Sequence, residues 1–146
     1  MIEIREDSFS AHVDAVSELI AANWDETGFG FPFILDKELY ARLEDLEVIL
    51  GVGVFRDGKM VGYSLSSVLP HPFNRDITVC YCDALFLVPE LRGTITSARL
   101  LLETERCAKA RGASRMIWGT RPSNGLREAL DKRGYTTVNV SMMKEL

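Results

Sequence analysis

Residues 77–88, ITVCYCDALFLV, are an almost unbroken apolar run with one charged side chain, Asp83, and Pro89 closes it. A short apolar run rich in β-branched and aromatic residues reads as a strand buried on both faces, hence a central one. Such a strand needs sheet neighbours at its edges and further elements over both faces. A chain of 146 residues is long enough to supply them within one domain, residues 1–146.

The rest of the sequence supplies those neighbours. Residues 2–5 alternate as a short strand, and residues 11–24 carry Val13, Val16, Leu19, Ile20 and Trp24 near the helical period. A loop, TGFGFPF, follows, and Asp36 is placed to cap a second helix reaching about Leu46. Residues 48–55 and 60–69 are strand-like, and Asp57-Gly58 between them is the strongest hairpin signal in the chain. Pro70-His71-Pro72 reads as a break before the central run. Residues 97–111 are amphipathic, with Gly112 where a terminating glycine belongs. A short strand at 116–118, a helix capped by Ser123 or Asn124 and ended by Gly134, and a strand at 136–142 complete the chain. The order β-α-α-β-β-β-α-β-α-β predicts a mixed α/β fold, a mostly antiparallel sheet with helices on both faces.

Charge is divided along the chain. Residues 1–91 hold six Lys/Arg against sixteen Asp/Glu, and residues 92–133 hold ten against four. The basic part suits an anionic ligand and the acidic part a cationic one; solvated helix faces give the same pattern. No reading motif for nucleic acid accompanies the basic part. No apolar run nears the roughly 18 residues of a membrane span, and the polar start MIEIREDSF is unlike a leader. Three cysteines without a secretory signal lead to the expectation of a reduced, cytoplasmic setting.

Between the central strand and the next helix lies LRGTITSARLL. A turn from a strand into a helix leaves the first N–H groups unpaired, and the helix dipole adds partial positive charge, so such a turn can hold phosphate. Arg92 brings a planar cation, Gly93 a permissive backbone, and Thr94, Thr96 and Ser97 hydroxyl groups. A plain turn with Thr96 or Ser97 as N-cap explains the same residues.

CDALFLVPELRG, residues 82–93, resembles the core of the GNAT superfamily of N-acetyltransferases: a strand ending in apolar-x-apolar-x-Pro-Glu, then an Arg-Gly pyrophosphate loop and a helix. The likeness continues through LLLETERCAKARGASRMIWGT and NGLREALDKRGY, covering residues 77–146; the N-terminal half is similar in element order alone. His71-Pro72, Asp83 and the turn spacing look most like acetyltransferases encoded in tailed-phage genomes. The family loop reads Arg/Gln-x-x-Gly-x-Gly/Ala, and here Ile95 and Ser97 replace the usual small residues.

The resemblance implies acetyl-CoA as co-substrate. Backbone groups of Leu85, Phe86 and Leu87 would pair with the pantetheine arm, which can join a strand edge as another strand does. Amides of Arg92, Gly93, Thr94, Ile95, Thr96 and Ser97 would hold the pyrophosphate, and Asn124 would lie near the thioester end. Asp83 stands where the family commonly places a general base, and burial would raise its pKa toward that role; a salt bridge or backbone hydrogen bond is its plain structural alternative. The position of the usual Tyr acid is Leu130, which leaves Tyr135 and Tyr81 as stand-ins, or an unassisted thiolate departure. Cys80 and Cys82 read as core residues. Phe29, Phe31 and Phe33 either plug an apolar gap or wall the acceptor site, and His71 is a turn or rim residue.

The expected function is direct transfer of an acetyl group to a primary amine, on a small molecule or a protein, with no nucleic acid, membrane or metal involved. A homodimer is compatible with it. The other reading is a GNAT-fold binding module that has lost catalysis, suggested by Ile95, Ser97 and Leu130.

Overall fold

The computed structural model describes residues 1–121 and 125–146. One sheet holds five strands in chain order: β1 (Ile2–Glu6), β2 (Ile49–Arg56), β3 (Lys59–His71), β4 (Asn74–Leu87) and β5 (Arg115–Trp118). Neighbours from β1 to β4 are antiparallel, and β5 runs parallel to β4. The helices are α1 (Phe9–His12), α2 (Ser17–Thr27), α3 (Lys37–Asp45), α4 (Ile95–Ala110) and α5 (Leu126–Lys132). This is the mixed α/β fold expected, with helices on both faces. No helix among the described residues is long and apolar enough to cross a membrane.

Alternation along the strands builds two cores. Ile49, Phe55, Tyr63, Leu65 and Phe86 pack with Phe9 of α1 and Ile20 of α2 on one face. Leu50, Val52, Val54 and Cys80 pack with Leu100 and Cys107 of α4 on the other. Leu130 of α5 joins Cys82, Leu101 and Trp118 beside it. One polar pair is sealed between β3 and α4: the Ser64 and Thr104 hydroxyls lie 2.7 Å apart with no exposure, and Thr104 also donates to the Leu100 carbonyl at 2.8 Å.

Several local expectations hold. Asp57 and Gly58 both adopt positive φ, 50° and 81°, forming the two-residue hairpin that Arg56 and Lys59 close. Asp36 caps α3 by accepting the Leu39 N–H at 2.9 Å. Others need correction. The first helix divides into α1 and α2, with residues 13–16 between them in a turn. Pro70 does not end β3, which continues to His71 and turns back through residues 72–73. The reason is its position. The Val68 N–H donates to the Val48 carbonyl, and β2 pairs no further than Ile49 with Ser67. Pro70, two residues on, therefore lacks its N–H on a side where no strand lies. Residues 136–142 form no strand, and all are exposed. The expected caps at Ser123 and Asn124 lie outside the described residues.

The Ser64–Thr104 pair generates a stability test. Thr104→Val leaves the Ser64 hydroxyl stranded in the core and is expected to cost about 1–3 kcal/mol. Combining it with Ser64→Ala should cost less than the two single changes added together, measured by urea unfolding. Strict additivity would show the pair to be uncoupled.

Candidate active site

The site begins where β4 loses a neighbour. Pairing with β5 ends at Cys82 opposite Trp118, and the Gly119 N–H donates to the Cys82 carbonyl at 2.8 Å. Beyond this point no described strand lies on that side of β4. The Val88 N–H donates to the Val61 carbonyl of β3. Alternation from that bond turns the backbone groups of Leu85 and Leu87 toward the opening. Phe86, paired with Tyr63, directs its backbone to β3 instead. The expected trio of edge residues is thus reduced to Leu85 and Leu87 by the two-residue period of the strand. The Leu87 carbonyl already accepts the Arg92 Nε–H at 2.7 Å.

Asp83 lies at the start of the opening. Leu65 pairs with Ala84 and Ser66 with Cys82, so Asp83 is the extra residue of a β-bulge. Its side chain is exposed rather than enclosed on both faces as expected. Protein mass around it still pushes the carboxyl above the ordinary carboxylate range, burial being the main cause, against a lowering bond from its own backbone. A lone carboxyl can be open to water along one direction and poorly hydrated along the others. Tyr40 of α3 is close enough for Asp83 to raise its phenol pKa, after burial, which is the larger cause. The sequence held no signal for Tyr40 beyond its place on a helix.

Of the two tyrosines considered as proton donors, Tyr81 has its hydroxyl on the side of Gly119 and the Asp83 backbone. A Cβ on Gly119 would lie 3.6 Å from the Asp83 Cα and 3.7 Å from the Tyr81 hydroxyl. Tyr135 belongs to the α4 side, where its ring meets Trp118 edge-on and its hydroxyl donates to Glu105 at 2.8 Å. Burial, chiefly, pushes that phenol up to about 12. Cys80 and Cys82 are core residues as expected, and burial pushes the Cys82 thiol up to about 12, which leaves it a poor nucleophile.

The turn into α4 differs in detail from the expectation. Thr94, not Thr96 or Ser97, is the N-cap, and its hydroxyl accepts the Thr96 N–H at 3.2 Å. The Arg92 N–H donates to Pro89, and the Ser97 N–H and hydroxyl both donate to the Thr94 carbonyl. Within residues 91–97, the amides of Gly93, Thr94 and Ile95 have no partner. Gly93 has φ 70°, the left-handed region where a side chain is strained. Ile95 is 75% exposed and Thr96 is buried. Arg92 folds back: besides Leu87, its guanidinium pairs with Glu26 of α2 at 2.8 Å and lies 5.2 Å from the Phe86 ring centre. Glu26 is a partner the sequence did not announce.

Across the opening, Trp24 donates to the Phe31 carbonyl at 2.7 Å and meets Phe29, Phe31 and Phe33 at ring separations of 6.0, 5.4 and 5.6 Å. Arg121 stacks on Phe29 at 4.1 Å and donates to the Thr27 carbonyl, joining this loop to the segment after β5. The three phenylalanines pack around Trp24 and remain 41–53% exposed. His71 meets Phe73 at the far hairpin turn, and its Nδ1 accepts the Phe73 N–H at 3.1 Å. Asn124 lies outside the described residues.

Solved structures share this fold. An aminoglycoside acetyltransferase from an uncultured soil metagenomic sample, in complex with sisomicin, is 14% identical with a TM-score of 0.76, covering 99% of this chain and 96% of that one. Ribosomal-protein-alanine N-acetyltransferase from Brucella melitensis biovar Abortus 2308 is 15% identical, with a TM-score of 0.70 over 100% and 99%. A predicted acetyltransferase from Clostridium acetobutylicum, solved with acetyl-CoA, is 13% identical, with a TM-score of 0.76 over 99% and 96%. The model of the acetyltransferase (GNAT) family matches residues 14–135, and the chain belongs to that family. No curated protein matches it.

The raised Asp83 pKa implies a stability cost of a definite sign. An acid whose folded pKa exceeds its unfolded value weakens the fold once pH rises above the unfolded value. Asp83→Asn is therefore expected to stabilise the protein at pH 7 and to lose that advantage at about pH 3, below the unfolded pKa. Thermal melts at the two pH values check it; an equal effect at both would contradict the charge argument.

Proposed function

We propose that the protein transfers the acetyl group of acetyl-CoA directly to a primary amine. The observation carrying this reading is the juxtaposition of an open strand edge, a helix start with unpartnered amides beyond one end of it, and Asp83 on a bulge at the other. The family supports acetyl-CoA as co-substrate, as does the Clostridium acetobutylicum structure solved with it. Leu85 and Leu87 would pair with the amide-bearing pantetheine arm. The amides of Gly93, Thr94 and Ile95, at the positive end of α4, would take the pyrophosphate. By the family resemblance alone, Asn124 would lie near the thioester.

An alkyl ammonium has a pKa near ~10.4, so the acceptor must lose a proton before it attacks. Asp83 takes that proton, through a water where its short side chain does not reach. The amine then attacks the thioester carbonyl, and CoA leaves as thiolate, for which Tyr81 is the nearer of the two candidate donors. The exposed aromatic loop and the acidic N-terminal part favour a cationic acceptor with an apolar portion. An amine acceptor accords with the sisomicin complex of the metagenomic enzyme. The likeness to enzymes of tailed phages would place the protein in a host cytoplasm.

A second reading, a binding module without catalysis, is favoured by one observation: Arg92 is held by Glu26 and Leu87 rather than free. Isothermal titration with acetyl-CoA decides first; no heat at millimolar cofactor removes both cofactor binding and the proposed reaction. Gly93→Val should weaken that binding at least about tenfold by forcing a β-branched residue into positive φ. With an amine panel and thiol detection, Asp83→Asn should lower the rate by about 10²–10⁴ while cofactor affinity holds. The rate of the unaltered protein should rise with pH as Asp83 ionises, a limb the variant lacks. Cofactor binding with no CoA release from any amine, unchanged by Asp83→Asn, would establish the module.

A further inference from the structure

The last turn of α2 is tied to both sides of the opening. On one side Arg92, which follows β4, donates to the Glu26 carboxylate at 2.8 Å. On the other, Arg121, which follows β5, donates to the Thr27 carbonyl and stacks on Phe29. Between these ties the Asn23 amide donates to the Tyr63 hydroxyl of β3 at 2.9 Å, and the Thr27 hydroxyl donates to the Asn23 carbonyl at 2.8 Å. A helix C-terminus carries partial negative charge, so two cations converging on it are favoured.

Arg92 is the tie that conflicts with a ligand. Its Nε–H donates at 2.7 Å to the Leu87 carbonyl, on the stretch of β4 that β5 leaves open. The residue also directly precedes the unpartnered amides of Gly93, Thr94 and Ile95. Its guanidinium therefore lies at the end of the open edge with a carboxylate as counter-ion. The same donor fork binds carboxylate and phosphate, so Glu26 and a pyrophosphate are alternative partners of one cation. The pair is only half-buried, with side-chain exposures of 41% for Arg92 and 46% for Glu26. Exchange of one anion for the other thus strands no buried charge.

We infer that Glu26 is an internal competitor of the cofactor's pyrophosphate: it holds Arg92 on α2, and the pyrophosphate takes Arg92 from it on binding. This rests on the reading that acetyl-CoA binds at the turn before α4. Glu26 opposes binding in two ways, by withholding the cation and by repelling the phosphates. The exchange removes one of the two arginine ties on the last turn of α2 and leaves that turn, with the aromatic loop beyond it, tied by Arg121 alone.

Isothermal titration of acetyl-CoA into the full chain reads the competition without any acceptor. Glu26→Gln should tighten binding about two- to fivefold, the range open to a half-exposed pair. Asp25→Asn makes the same charge change at the neighbouring exposed position and should gain less. In an Arg92→Gln background the gain from Glu26→Gln should be lost, since no cation is left to compete for. No tightening by Glu26→Gln overturns the inference while cofactor binding stands. So does an equal gain from Asp25→Asn, or a gain that persists with Arg92→Gln. Absence of heat from all of these proteins at millimolar cofactor overturns both the inference and the reading beneath it.

Discussion

The bulge at Asp83 sets the geometry on which the rest depends. Side chains of a strand alternate, so a one-residue slip moves every later side chain to the other face. Before the bulge, Cys80 and Cys82 face α4; after it, Leu85 and Leu87 do so too. An uninterrupted strand would have sent Leu85 and Leu87 to the side of α1 and α2. It would also have placed Ala84 and Phe86 beneath α4. The extra residue keeps both cores filled and adds local twist, which accompanies the parting of β4 from β5. One inserted position therefore exposes a carboxyl, opens a strand edge, and leaves the packing on either side intact.

The opening is braced by charged side chains rather than by apolar contact. Arg92 ties the turn before α4 to Leu87 of β4 and to Glu26 of α2. Arg121 ties the aromatic loop to the segment after β5. At the other end of α4, Arg111 donates to the Glu47 and Ile49 carbonyls and pairs with Glu6. Exposed ion pairs contribute little stability, about 0–1 kcal/mol each. Their value lies in fixing directions across a cleft that hydrophobic packing would otherwise close. The basic excess in residues 92–133 is thus spent partly on internal bracing and only partly on an anionic ligand.

Much of this was legible in the sequence, because it depends on local chemistry. The Asp57-Gly58 turn, the Asp36 cap, the Gly112 and Gly134 helix ends and the apolar run of β4 each announce themselves within a few residues. The bulge does not, since it is defined by the register of β3 against β4. An unbroken run suggested a fully enclosed strand, and Asp83 was read as buried for that reason. Phe86 was counted among the edge residues because a sequence does not say which carbonyls face a neighbour. Glu26 and Tyr40 reach the site through tertiary packing of α2 and α3, in a half of the chain that resembled the family in element order only. The alternation at 136–142 suggests a strand, and the structure forms none there.

The glycine-poor turn is explained by the same distinction between local and tertiary requirements. A phosphate turn needs unpaired amides aimed at one point and a backbone that can bend to aim them. Only Gly93 in this turn takes positive φ. Ile95 is the first residue of α4, so its backbone is helical and needs no glycine. Its β-branched side chain projects into solvent and is not packed across the turn. Thr94, extended as the N-cap, supplies the hydroxyl that holds the Thr96 amide and leaves the three before it free. The substitutions at positions 95 and 97 therefore alter the rim of the turn, while the elements that attract negative charge, the helix end and the amides of Gly93 to Ile95, do not depend on them.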